Sequence, residues 1–116
     1  MKKFLDITSQ LKSELEKLKQ RYLTEEKPEN KRDPDFFAMA KAETSHLFQL
    51  IDTWEEEAND LIQKRVITSV HPQQVISTKE NMELLLMHSY YIDVNKKRYM
   101  ELFQSVFYVF DLAVRN

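Results

Sequence analysis

The sequence has no glycine and no cysteine in its 116 residues. Without glycine, phosphate-cradling loops, tight turns at positive φ and left-handed helix C-caps lose their natural residue. Neither a Walker A loop nor a dinucleotide-binding glycine fingerprint is present. Without cysteine there are no disulfides and no thiolate metal sites. Proline occurs three times and tryptophan once. No apolar run approaches the roughly 20 residues that span a bilayer. Neither sign of charge dominates: 17 Lys and Arg stand against 19 Asp and Glu. A net charge of −2 exerts no global pull towards nucleic acid or anionic lipid. The Lys2-Lys3 start is followed by charges at Asp6, Lys12 and Glu14 where a signal peptide needs an apolar core. We therefore expect a soluble, cytoplasmic chain with no membrane segment.

What is present is helical periodicity. Hydrophobic residues make up 42% of the chain and charged residues 31%, enough apolar content to fold as one domain over residues 1–116. The organising stretch is Asp33 to Val66. Phe37, Ala40, Thr44, Leu47, Ile51, Trp54, Ala58 and Leu61 recur at alternating spacings of three and four, which predicts a helix about 50 Å long with one buried stripe. Asp33 is the predicted N-cap, with Pro34 at the first helical position and Asp35 near the positive dipole end. A first helix is predicted from Lys3 to Leu23, with Phe4, Ile7, Leu11, Leu15, Leu18 and Tyr22 inward. Thr24 to Arg32, which includes Pro28, reads as a polar connector.

Ile67 to Ser77 reads as a second connector. Pro72 ends any continuous helix there, and Val70, Val75 and Ile76 are expected to cap the bundle end. Ser77 with Glu80, or Thr78 with Asn81, offers a cap for a third helix over Thr78 to Ile92. A fourth helix is predicted from Asn95 to Val114, with Tyr99, Phe103, Val106, Phe107, Phe110 and Val114 on one face. Lys97, Glu101, Gln104, Asp111 and Arg115 lie opposite. A turn near Asp93 to Asn95 separates the last two helices, because a single rod would leave aromatics uncovered. The expectation is an all-α, antiparallel up-down-up-down four-helix bundle.

The ordered series Asp35-Phe36-Phe37 with Lys41, Trp54, Ala58, Leu61-Ile62, Arg65, Val70-His71, Asn81 and Ser89-Tyr90 is distinctive. It continues with Lys96-Lys97-Arg98-Tyr99 and Ser105-Val106 with Tyr108. On these residues, from about Asp35 to Phe110, the chain resembles the YppE-like family of small helical-bundle proteins from Bacillus-type bacteria. The resemblance implies a four-helix bundle. It implies no activity and transfers no catalytic residue, because the family is one of unknown function.

Candidate chemistry is sparse. Glu43 and His46 form one Glu-x-x-His, whereas di-iron bundles use two such motifs and two further glutamates. With His71 and His88, these residues make up a conceivable metal set for a bundle enzyme, but no His pair is pre-arranged at helical spacing. The competing reading is solvated surface histidines, and no cofactor is expected. Asp52, Glu55, Glu56, Glu57 and Asp60 form an acidic run, either a solvated face paired with basic neighbours on the first helix or a dock for a basic partner or a weakly bound divalent ion. Lys96, Lys97 and Arg98 are too short a cluster to predict nucleic-acid binding in an acidic protein.

The third helix is apolar on two arcs. Met82, Leu85, Leu86 and Ile92 lie on one, and Leu84, Met87, Tyr90, Tyr91 and Val94 on the other. Such a helix is central in its fold or half exposed. The reading favoured from sequence is a non-enzymatic module contacting a protein partner, or itself, through Leu84, Met87, Tyr90 and Tyr91. Glu55 and Glu56 provide a second candidate surface.

Overall fold

The structure, a computed structural model, describes residues 1–24, 34–90 and 94–115. Four helices follow one another: α1 (Lys2–Thr24), α2 (Pro34–Gln63), α3 (Pro72–Tyr90) and α4 (Lys96–Val114). They form an up-down-up-down bundle measuring 48 × 27 × 21 Å. α3 packs against all three other helices, whereas α1 meets α4 only lightly. α1 and α3 therefore lie on the short diagonal, with α2 and α4 at the outer corners. Among the described residues, no helix is long and apolar enough to cross a membrane.

The predicted stripes of α1 and α2 form the core, with three departures. Phe4, Leu11, Leu15, Ile51 and Trp54 are each at most 2% exposed. Phe37, placed in the inward stripe by spacing, is instead 41% exposed, because it lies in the first turn of α2. Tyr22 is only half-buried. Thr8 is buried although polar. Its hydroxyl donates to the Phe4 carbonyl at 2.8 Å and accepts the Trp54 indole N–H at 3.1 Å. That pairing lets the only tryptophan sit at 0% exposure with its single donor satisfied. Phe4 stacks on the indole at 5.9 Å and Phe110 meets it edge-on at 5.4 Å. One ring cluster thus ties α1, α2 and α4 together.

Helix boundaries depend on proline and asparagine, with one surprise. α2 stops at Gln63, three residues short of the predicted Val66. Arg65 adopts φ 60°, the left-handed position that glycine normally fills. The Val66 N–H reaches the Leu61 carbonyl at 2.9 Å and the Arg65 N–H reaches Ile62 at 3.0 Å. This is a Schellman closure built without glycine.

α3 starts at Pro72, not at Thr78. Pro72 occupies the first helical position, where its missing N–H costs nothing. His71 precedes it as the cap. Its backbone N–H donates to the Gln74 side chain at 2.8 Å, and its carbonyl accepts from Val75 at 3.2 Å. The proline ends one element by beginning the next, so Ser77, Thr78 and Glu80 lie inside the helix. The true connector is short: Val70 and Val75 are buried as expected, Ile67 is buried as well, and Ile76, expected to cap the bundle end, is instead exposed because it lies on the outer face of α3. Ser69 donates to the Leu112 carbonyl at 2.7 Å, tying the connector to α4.

α3 and α4 are separate helices. Asn95 caps α4, its side chain accepting the Arg98 N–H at 2.8 Å. On α4, Leu102, Val109 and Ala113 are buried together with Tyr99, Phe103, Val106 and Phe110, so its apolar face is wider than the predicted stripe. The predicted Thr24–Arg32 connector after its first residue, the Asp33 cap, and Tyr91, Ile92 and Asp93 lie outside the described residues.

Candidate functional site

The second arc of α3 is mostly spent inside the fold. Tyr90 is 5% exposed, which corrects its assignment to an open partner surface. Its hydroxyl donates to Glu43 Oε2 at 2.6 Å, and the Arg21 guanidinium lies over its ring at 4.1 Å. Leu84 is half-buried against the core. Of the predicted face only Met87 is open, at 41%; Tyr91 lies outside the described residues. The reason is position: a helix on the short diagonal has neighbours on both apolar arcs.

Glu14, Lys17 and Arg21 of α1, Glu43 and Leu47 of α2, and Tyr90 line a surface cleft of about 240 Å³. The charges in it face one another. Arg21 Nη1 is 3.6 Å from Glu43, Lys17 is 3.4 Å from Glu14, and His46 Nε2 is 4.0 Å from Glu14. The Glu-x-x-His motif therefore does face a second carboxylate, Glu14 on α1. The Glu43 carboxylate, however, is engaged by a phenol and a guanidinium, which compete with any metal for its oxygens. His71 and His88 stand at opposite ends of α3, roughly 25 Å apart at 1.5 Å per residue. Glu43, His46, His71 and His88 do not converge, and no group of three or more metal-ligating side chains occurs among the described residues.

The acidic run is partly engaged. Lys79 of α3 bridges Asp52 at 3.0 Å and Glu55 at 3.3 Å, and those hydrogen bonds raise its pKa above the ordinary lysine value. Glu57 meets Lys3 at 3.1 Å and Asp60 meets Lys64 at 3.0 Å. The basic partners come from α1, from α3 and from Lys64 just past the end of α2, not from α1 alone. Glu56 is exposed without an ion pair among the described residues. Lys96, Lys97 and Arg98 are exposed on the first turn of α4, with Arg98 3.9 Å from Glu101.

A polar knot lies in the core between α1, α3 and α4. Ser89 Oγ donates to the Leu85 carbonyl at 2.7 Å and meets the Tyr99 hydroxyl at 2.8 Å. Tyr22 stacks on Tyr99 at 3.9 Å and donates its hydroxyl to the Val94 carbonyl. Burial pushes the Tyr99 phenol up to about 12. This knot ties α1 to α3 and α4.

An apolar opening lies on α2. Phe37, Lys41, Thr44, Ser45 and Phe48 line a surface groove of about 430 Å³. Phe37 and Phe48 are 41% and 36% exposed. Eleven residues is three helical turns, so the two rings stand on one face with Lys41 and Ser45 between them. Three-and-four spacing alone hides this face, because it places Phe37 in the core stripe and gives Phe48 no position in it. The available signal was the shared phase of the two phenylalanines, offset from the Leu47–Ile51–Trp54 stripe.

Residues 8–115 match the bacterial domain of unknown function DUF1798. The chain belongs to that family. It is 32% identical over 104 residues to the uncharacterised protein YppE of Bacillus subtilis (strain 168), covering 90% of this chain and 83% of the relative. It superposes on the crystal structure of Bacillus subtilis YppE with a TM-score of 0.80 at 28% identity, covering 97% of this chain and 89% of that one. The solution structure of YppE gives 0.79 at 28% identity, with 97% and 90% covered. DUF1798 membership, like the fold, agrees with the resemblance carried by the Asp35–Phe110 residues and adds no activity.

Proposed function

We propose that the protein is a non-enzymatic, cytoplasmic DUF1798 module that acts through protein–protein contact. Its docking surface is the Phe37–Phe48 face of α2. The observation that carries this is the exposure of two phenylalanines, 41% and 36%, on one helical face of a heavily charged chain. Large exposed aromatics in a concave apolar setting favour burial against a partner. Lys41 stands between the rings and makes no ion pair among the described residues. The occupant suited to this arrangement is an amphipathic helix of another protein, with apolar side chains flanking one carboxylate for Lys41. The charged cleft at Arg21 supports the non-enzymatic reading, because its acids and bases neutralise one another.

A photo-crosslinking amino acid at position 48, compared with one at the exposed position 104 of α4, tests the reading in the host cell. A defined adduct at 48 that is absent at 104 and lost with Phe37→Glu is the expected result. Equal adducts from both positions refute the surface. An adduct consisting only of a second copy of the chain replaces the partner helix with self-association.

A further inference from the structure

A second groove, about 300 Å³ in volume, runs between α3 and α4 on another side of the bundle. Gln73, Ser77 and Asn81 line its α3 wall, and Ser105 and Tyr108 its α4 wall. Among the described residues, no Asp, Glu, Lys, Arg or His lines it, although 31% of the chain is charged. Tyr108 is 63% exposed, the most open large hydrophobic side chain in the structure. Thr78 lies at the floor, 1% exposed. Among the described residues Thr78, Ser77, Asn81, Ser105 and Tyr108 make no side-chain hydrogen bond. The groove is thus rimmed by donors and acceptors that no other described side chain uses.

These features define a ligand chemistry. An uncharged lining cannot compensate the desolvation of an ionised group, so the ligand is neutral. Amides and hydroxyls donate and accept at once, which suits a ligand whose groups also do both. An open phenol ring offers a flat apolar face beside them. A ligand with vicinal hydroxyls on its edge and C–H bonds on its face is a sugar ring. The volume is at the lower end of the roughly 300–1,000 Å³ of small-molecule sites, room for a ring or two rather than a long chain. We propose that the α3–α4 groove binds a neutral pyranose ring, stacked on Tyr108 and hydrogen-bonded by Asn81, Ser77 and Ser105.

The test is amide NMR of the full chain titrated with maltose, cellobiose and N,N′-diacetylchitobiose to millimolar concentration. Saturating shifts at Ser77, Asn81, Ser105 and Tyr108 with at least one sugar are expected. Tyr108→Ala should weaken binding by about tenfold or more, whereas Tyr108→Phe keeps it within about threefold, since tenfold corresponds to 1.4 kcal/mol. Both variants change an exposed side chain, and unchanged shift dispersion elsewhere verifies their fold. Absence of shifts with all three sugars overturns the proposal. So does binding that survives both Tyr108→Ala and Asn81→Ala, or a Tyr108→Ala effect confined to sedimentation, which would mark a contact between copies.

Discussion

Arg65→Gly should stabilise this protein, against the usual cost of adding glycine. Arg65 is at φ 60°, where an L-residue with a Cβ is disfavoured by roughly 1–2 kcal/mol. Its guanidinium makes no ion pair among the described residues, and the side chain is exposed, so removing it forfeits no contact. The Schellman bonds from Val66 and Arg65 are backbone bonds at 2.9 and 3.0 Å and survive the substitution. Against the relief stands the greater freedom of glycine in the unfolded chain, roughly 0.4–1 kcal/mol. The net gain is about 0.5–1 kcal/mol. Unfolding entropy near 2 cal/mol/K per residue turns this into a Tm rise of about 2–4 °C for a chain of this length. Thermal and urea unfolding followed by far-UV circular dichroism reads both quantities. Arg65→Ala is the control: it removes the same charge and keeps the Cβ, so it should gain nothing. Lys64→Gly, one residue earlier at negative φ, should lose about 0.5–1 kcal/mol. A glycine at 65 that fails to stabilise, or an alanine that stabilises equally, refutes the assignment of cost to the left-handed backbone.

Other outcomes follow from the buried polar contacts. Thr8→Val leaves the Trp54 indole N–H without its acceptor and should cost about 1–3 kcal/mol in urea denaturation, while Thr8→Ser costs less. Tyr90→Phe should cost about 0.5–1.5 kcal/mol, and a double-mutant cycle with Glu43→Gln should show coupling between the two. The Tyr99 phenol, raised to about 12 in the fold from about 10 unfolded, contributes stability that is complete below pH 10. That contribution is lost as pH climbs from 10 through 12. The urea midpoint should therefore fall across that window, and Tyr99→Phe should flatten the fall. Phe37→Glu should cost little stability, because 41% of the residue is already exposed, while removing the crosslink expected from position 48.

The fold was legible because burial imposes a period. The stripes from Phe4 to Leu18 and from Ala40 to Leu61 are spaced at three and four, and a helix with that pattern has one stable way to face a core. Pro34 and Asn95 marked starts that the backbone obeys. Pro72 also looks like a terminator by sequence, so the periodicity places the start of α3 six residues late, at Thr78. The left-handed turn at Arg65 was invisible, since no residue there advertises positive φ. The candidate site was less legible still. Tyr90 looked available because its arc is apolar, and the sequence carries no sign that Arg21 and Glu43 would cover it.

Sequence alone determined that this chain is all-helical and four-helical. It also determined the identity of most core residues and the absence of glycine-dependent or thiolate chemistry. Those properties are local or compositional: period, caps and residue inventory. The tertiary structure decided which helix is central and which faces remain in water. Ser89 lies 3.4 Å from the Leu18 carbonyl, so α1 and α3 approach closely along the short diagonal. That approach buries Tyr90 and half-buries Leu84 and leaves the outer corners, the Phe37–Phe48 face of α2 and the Tyr108 groove on α4, facing solvent. Exposure belongs to the packing of helices against one another, and no single helix encodes it.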